Sequence, residues 1–260
     1  MTKVGVYAIL RVHTLIFIEP SGGFALEPWL LPLALTTIVL GTIGAVAASE
    51  LRGTVSYLVV VSVGTLLAAV GLFSRDGLAA ALYYLVHTTL VTGGLFLLAD
   101  LIARQRGEMA ARLDVSQAVC QPALLGTLFF AGAIAVSGLP PLSGFAARLY
   151  ILQAAQTTSA VTWVWSVMLI SGLFVIVALS RAGTAIFWRT EQTRSEARPV
   201  RGIEVLAIAV LLGGAVLLML FGAPALDYAQ ATSEQLLQRS GYVESVLAND
   251  SVSTPASMKE

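Results

Sequence analysis

Apolar runs long enough to cross a bilayer recur along this chain, and one of them is interrupted at its centre. The interrupted run extends from about Leu124 to about Ala155 and contains Gly138, Pro140, Pro141, Ser143 and Gly144, with Arg148 just beyond. Two adjacent prolines remove two backbone donors and clash with the preceding turn, so a helix cannot pass through unbroken. In lipid the carbonyls freed by such a break must find partners. A broken helix followed by a cation inside a membrane span points to ion movement. The other reading is a proline kink with an arginine that snorkels to an interface.

Composition fits the membrane reading. Hydrophobic residues make up 57% of the chain, charged residues 12%, and the mean hydropathy is +0.84. The expected fold is all-α: a polytopic transmembrane helical bundle of about seven spans, one broken at Pro140-Pro141. The spans are expected at about 3–18, 29–48, 55–73, 78–102, 122–156, 161–188 and 203–222. Residues 1–225 then form a transmembrane unit and 226–260 a polar C-terminal tail, partly amphipathic helix, since Leu226, Ala229, Leu236, Leu237, Val243, Val246 and Leu247 have helical spacing. The balanced formal charge gives no reason to expect a nucleic-acid partner. The single cysteine, Cys120, excludes an internal disulfide framework and reads as a packing residue near a helix start. The opening MTKVGVYAILR superficially resembles a leader, but no small-residue cleavage site follows, and Arg11 and His13 interrupt the apolar stretch.

Basic residues set the expected topology. Turns after spans two, four and six carry Arg52; Arg104, Arg106 and Arg112; and Arg189, Arg194, Arg198 and Arg201, whereas the alternate turns carry only Arg75. This places the first residues in the cytoplasm and the C-terminal tail on the opposite side. Arg181 with Phe187-Trp188-Arg189 reads as a belt at the cytoplasmic edge, and Glu50 and Asp100 as span-end residues facing water or arginines.

Few residues can carry chemistry. No phosphate loop, dinucleotide fingerprint, catalytic carboxylate pair or metal-ligand cluster is present in the sequence, so no cofactor, metal or enzyme activity is expected. On span four, Tyr84, His87, Thr88 and Thr92 form a polar stripe on an apolar helix. Histidine titrates nearest working pH and can pass a proton either way; a structural histidine bonded to the next helix is the alternative. Gly93 and Gly94 should let another helix approach closely. Lys3, Tyr7 and Arg11 share one face of span one, where Lys3 at the chain start also reads as an interfacial anchor. Thr54, Ser56, Ser62 and Thr65 of span three read as small hydroxyls that hold helices together.

Four stretches carry a family resemblance. Residues 3–11 (KVGVYAILR), 81–90 (ALYYLVHTTL), 137–145 (SGLPPLSGF) and the tail segments 231–237 (ATSEQLL) and 242–247 (YVESVL) resemble the antiporter-like subunits of respiratory complex I and its relatives, in particular the D subunits of Mrp (Pha) multisubunit cation/proton antiporters. The resemblance implies a fold of two inverted repeats, each with a broken helix and a proton half-channel, of which this sequence matches the second, from roughly the eighth helix onward. It implies that Lys3 corresponds to the lysine linking the half-channels, His87 to the eleventh-helix histidine, and Arg148 to a position on the broken twelfth helix usually held by lysine or glutamate. Proton translocation through Lys3, His87 and Arg148 is then expected, with Tyr84, Thr88, Thr92, Gly138, Pro140, Pro141, Ser143 and Gly144 in supporting or hinge roles.

The departures matter too. The family's first half, with its fifth-helix glutamate and seventh-helix lysine, has no counterpart here; a truncated fragment, a misassigned start or one product of a split gene would each account for that. Arginine, unlike lysine, does not release its proton. Val91 and Arg52-Gly53 replace residues that some complex I relatives hold as lysine and a Lys-Arg pair. The expectation is a subunit of a Na+ or K+/proton antiporter in a bacterial inner membrane, with other antiporter subunits and the missing half-channel as partners. The alternatives are a proton-pumping subunit of a complex I-like dehydrogenase or hydrogenase, and an assembly piece without flux of its own.

Overall fold

The computed structural model describes residues 2–12, 27–106, 119–188 and 201–237. All of its elements among these residues are α-helices: α1 (Thr2–Val12), α2 (Glu27–Ala47), α3 (Leu51–Val70), α4 (Arg75–Arg106), α5 (Pro122–Ser137), α6 (Ser143–Ala155), α7 (Val161–Phe187), α8 (Gly202–Leu220) and α9 (Gly222–Leu237). Five of them, α2, α3, α4, α7 and α8, are long and apolar enough to cross a membrane. The interrupted run forms two shorter helices, α5 and α6, on either side of residues 138–142. Span one is described only as far as Val12, and the rest of its expected length lies outside the described residues.

The chain is a multi-pass membrane protein, and its surface shows the solvent it was built for. Leu33, Leu40 and Ile43 of α2, Leu169, Ile170 and Leu173 of α7, and Ile203, Leu206 and Val210 of α8 are all exposed. A water-soluble fold would bury such continuous apolar faces; in a bilayer they face lipid tails at no penalty.

Helix α4 organises the bundle. It packs against α3, α5, α6, α8 and α9, and with 32 residues it is about 48 Å long, more than a hydrocarbon core is thick. Small residues let its neighbours close in: a Cβ on Gly94 would stand 3.0 Å from Leu212 of α8, and one on Gly132 of α5 would stand 2.6 Å from Leu95. The approach expected at Gly93 and Gly94 is thus made by α8. Charges gather at the helix ends. Asp100 pairs with Arg52 and Arg104, and Arg104 also reaches Glu204, tying α3, α4 and α8 together. At the opposite end of α4, Arg75 pairs with Glu234 of α9 at 2.7 Å. Residue 225 falls inside α9, whose buried stripe Ala229, Ser233 and Leu236 packs on the protein; residues 238–260 lie outside the described residues. Cys120, expected to be a packing residue, is exposed. It lies between the buried Val119 and the start of α5, and its backbone N–H donates to Gln105 Oε1.

The apolar core is in two pieces. One holds Ile38, Leu66, Tyr84, Ala147 and Met168, and the other holds Ala45, Leu58, Val91, Val136 and Val175. Near the change from one piece to the other lie buried polar residues: Thr42 on α2, Ser62 on α3, His87 and Thr88 on α4, Ser137 and Ser143 flanking the break, and Ser171 on α7. A polar layer therefore cuts across the bundle at the level of the broken helix.

Candidate functional site

The break is built from its own sequence. Pro122 opens α5 at the position where a missing N–H does no harm. The helix ends at Gly138, which adopts the left-handed conformation (φ 76°) that closes many helices. Its N–H donates to the Ala135 carbonyl, and the Leu139 N–H to that of Ile134. Pro140 and Pro141 then lie in the turn with their rings exposed. Ser143 starts α6 fully buried.

His87 sits against both sides of this break. Its Nδ1 lies 2.8 Å from Ser143 Oγ at the start of α6, and its Nε2 lies on the side of the ring where Gly144 meets the Ala135 carbonyl of α5. Nδ1 thus faces α6 and Nε2 faces the end of α5. The approach requires Gly144: a Cβ there would overlap the Ala135 carbonyl oxygen and lie 2.9 Å from Nε2. Tyr84, one turn earlier on α4, has its ring 5.9 Å from the imidazole.

Lys3 approaches the same layer from α1. Its Nζ donates to Ser62 Oγ on α3 at 2.6 Å and to Thr88 Oγ1 on α4 at 3.0 Å. Ser62 gives its own proton to the Val59 carbonyl at 2.7 Å, which leaves its lone pairs for the lysine. Thr92 donates to the Thr88 carbonyl at 2.5 Å. Lys3 also lines a cavity of about 720 Å³ that it shares with Tyr7, Tyr83, Thr89 and Tyr228. Sequence reasoning put Lys3 on a face with Tyr7 but did not find Ser62, because a serine on an apolar helix looks the same whether it binds a neighbouring helix or a lysine.

Arg148 stands on α6 with its guanidinium turned back across the break. Nη1 donates to the Ser137 carbonyl at 2.5 Å and Nη2 to that of Val136 at 3.0 Å. It lines a cavity of about 260 Å³ with Gly138, Phe145, Met168 and Gly172. Lys3, His87 and Arg148 thus lie around one polar layer: Lys3 bonds Thr88 beside His87, His87 bonds Ser143, and Arg148 bonds the end of α5 across the same break. Chemically the arrangement offers an amine and an imidazole, each held by hydroxyls that can accept or pass a proton. Arg148 adds a fixed positive charge.

Comparisons with known proteins agree on this architecture. Residues 1–179 match the family described as "NADH:quinone oxidoreductase/Mrp antiporter, TM". The chain is 37% identical over 279 residues to the probable D subunit of a K(+)/H(+) antiporter from Rhizobium meliloti (strain 1021), covering 95% of this chain and 51% of that protein. It is 33% identical over 253 residues to the D subunit of a Na(+)/H(+) antiporter from Bacillus subtilis (strain 168), covering 95% and 50%. Among solved structures, a chain of the Mrp complex from a Dietzia species superposes with a TM-score of 0.80 at 22% identity, over 94% of this chain and 53% of that one, a likeness of fold. A chain of respiratory complex I from Thermus thermophilus gives a TM-score of 0.73 at 28% identity, over 90% and 49%. The chain spans about half the length of these relatives. With its broken helix, its polar layer and a match over more than half its length, the chain belongs to the NADH:quinone oxidoreductase/Mrp antiporter transmembrane family.

Proposed function

We propose that this chain is a membrane subunit of a multisubunit monovalent-cation/proton antiporter and forms a proton half-channel within it. The observation that carries the reading is that Lys3, bonded to Thr88, and His87, bonded to Ser143, reach one buried polar layer from neighbouring positions of α4, beside a broken helix. A proton moves between Lys3 and His87 through the hydroxyls and water of that layer, then leaves past the break and Arg148. Unit charges in a low-dielectric interior interact strongly, so a proton on one site weakens the hold of the next. This coupling ties proton entry to Na+ or K+ movement through other subunits of the complex. Those subunits, and a second half-channel, are the expected partners.

The complex resides in a bacterial inner membrane. The end of the bundle bearing Arg52 and Arg104 faces the cytoplasm, and α9, paired to Arg75, faces the other side. The T. thermophilus likeness supports a second reading, a proton-pumping subunit of a redox complex. The antiporter relatives, matched over 95% of this chain, favour the antiporter.

The test is cation-driven proton flux in vesicles carrying the complete assembly. His87→Ala is expected to lower the rate by about a hundredfold, in the range that a positioned proton-transfer group supplies, with the complex still assembled. Unchanged flux in an intact assembly would remove His87 from the route.

A further inference from the structure

We propose that Arg148 is a positioning residue: it clamps α6 to the open end of α5 and so holds the His87 ring in register. This deepens the proton-route reading and rests on it.

The last carbonyls of a helix have no intrahelical donor, and in a membrane water does not stand in freely. Of the carbonyls left at the end of α5, Ala135 and Ile134 are bonded by the closing turn. Val136 and Ser137 are bonded by the two arms of the Arg148 guanidinium. The planar fork of arginine suits two neighbouring acceptors, as a lysine's single ammonium does not. Its positive charge also lies at the negative end of the α5 dipole. The space is made for it on two sides. A Cβ on Gly138 would stand 2.7 Å from Arg148 Cδ, and one on Gly172 of α7 would stand 3.0 Å from Nη1. Among the described residues the hydrogen bonds of Arg148 go to backbone carbonyls and to no carboxylate.

The two helices that Arg148 joins are the same two that flank His87: Ser143 of α6 holds Nδ1, and the end of α5 at Ala135 closes on Gly144 beside Nε2. Sliding α6 relative to α5 would pull Ser143 off Nδ1 and open the close packing of Gly144 on Ala135 beside the ring. Arg148 therefore acts through His87 without itself exchanging a proton. The groups that face His87 are few. Lys3 comes from α1, Arg148 from α6 and Tyr84 from α4 itself. Helix α5 has no ionisable residue, Arg52 of α3 is held at the bundle's end by Asp100, and Glu204 of α8 by Arg104.

The experiment measures proton flux against pH in vesicles containing the complete complex, for Arg148→Met, Arg148→Lys, Ser143→Ala and His87→Ala. Arg148→Met is expected to lower flux by about tenfold to a hundredfold, the penalty of misplacing a reacting group by about an ångström. It should also move the half-maximal pH by about one unit, because the environment of His87 has changed. Ser143→Ala should move the pH profile in the same direction with the clamp intact, and Arg148→Lys should recover part of the flux. Wild-type flux and pH profile in Arg148→Met would overturn the clamp. So would lost flux with an unmoved profile, which is the signature of a merely structural residue. If Arg148→Met does not assemble, Ser143→Ala decides: a moved profile supports the link to His87 and a wild-type profile overturns it. Full flux in His87→Ala would instead overturn the underlying proton route, so the two failures are distinguishable.

Discussion

Lys3→Met is expected to abolish cation-driven proton flux, by about a hundredfold or more, while the complex still assembles. Methionine keeps the length and apolar stem of lysine but can neither bind nor release a proton. It leaves the oxygens of Ser62 and Thr88 without their donor, but Ser62 keeps its own bond to the Val59 carbonyl and water can donate in place of the ammonium, so the loss in stability is small beside the loss in flux. Lys3→Arg separates relay from anchor. An arginine keeps the charge and the hydrogen bonds but holds its proton at all working pH values. A relay therefore fails with arginine as it fails with methionine, whereas an interfacial anchor works with either cation. Flux in reconstituted vesicles, with assembly checked by purification of the intact complex, reads the difference.

Gly144→Val is expected to prevent assembly rather than to slow transport. A Cβ at this position overlaps the Ala135 carbonyl oxygen and lies 2.9 Å from His87 Nε2. The first of these atoms belongs to backbone at the end of α5 and cannot swing away as a flexible side chain would. Overpacking of a dense interior costs about 1–3 kcal/mol or more, and here it separates α6 from α5 at the site that both must share. The yield of intact complex should fall severely. Gly93→Ala is the contrast, because its Cβ would meet only Leu211 at an ordinary 3.6 Å; that variant should assemble and melt within about 0.5 kcal/mol of the original.

Much of this architecture could be read from sequence because lipid leaves few choices. A Pro-Pro pair in an apolar run dictates a broken helix, and α5 and α6 stop and start on either side of it. Long apolar runs became α2, α3, α4, α7 and α8, with ends displaced by a few residues where helices extend beyond the bilayer, as α4 does as far as Arg106. The contacts were less accessible. Arg148 bonds carbonyls 11 and 12 residues behind it, and backbone carbonyls have no signature in a sequence. The polar layer depends on the register between helices: Thr42, Ser62, Ser137 and Ser171 are ordinary hydroxyls until packing puts them at the level of His87. Cys120 lies elsewhere than expected for a related reason, since proximity to a helix start does not say on which side of the bundle's edge a residue falls.

Proton passage requires that water enter the polar layer at Lys3 and His87. Thiol reactivity measures this directly. In the complete complex, with Cys120→Ser to remove the native thiol, Thr88→Cys and Leu98→Cys are each exposed to a small charged thiol reagent. Both positions are buried, but Thr88 lies in the polar layer beside Lys3 and Leu98 lies in the apolar core. The thiol at 88 is expected to react at least about tenfold faster, because only a hydrated site supports the reactive thiolate. Equal, background-level labelling at the two positions would contradict a proton route through this layer.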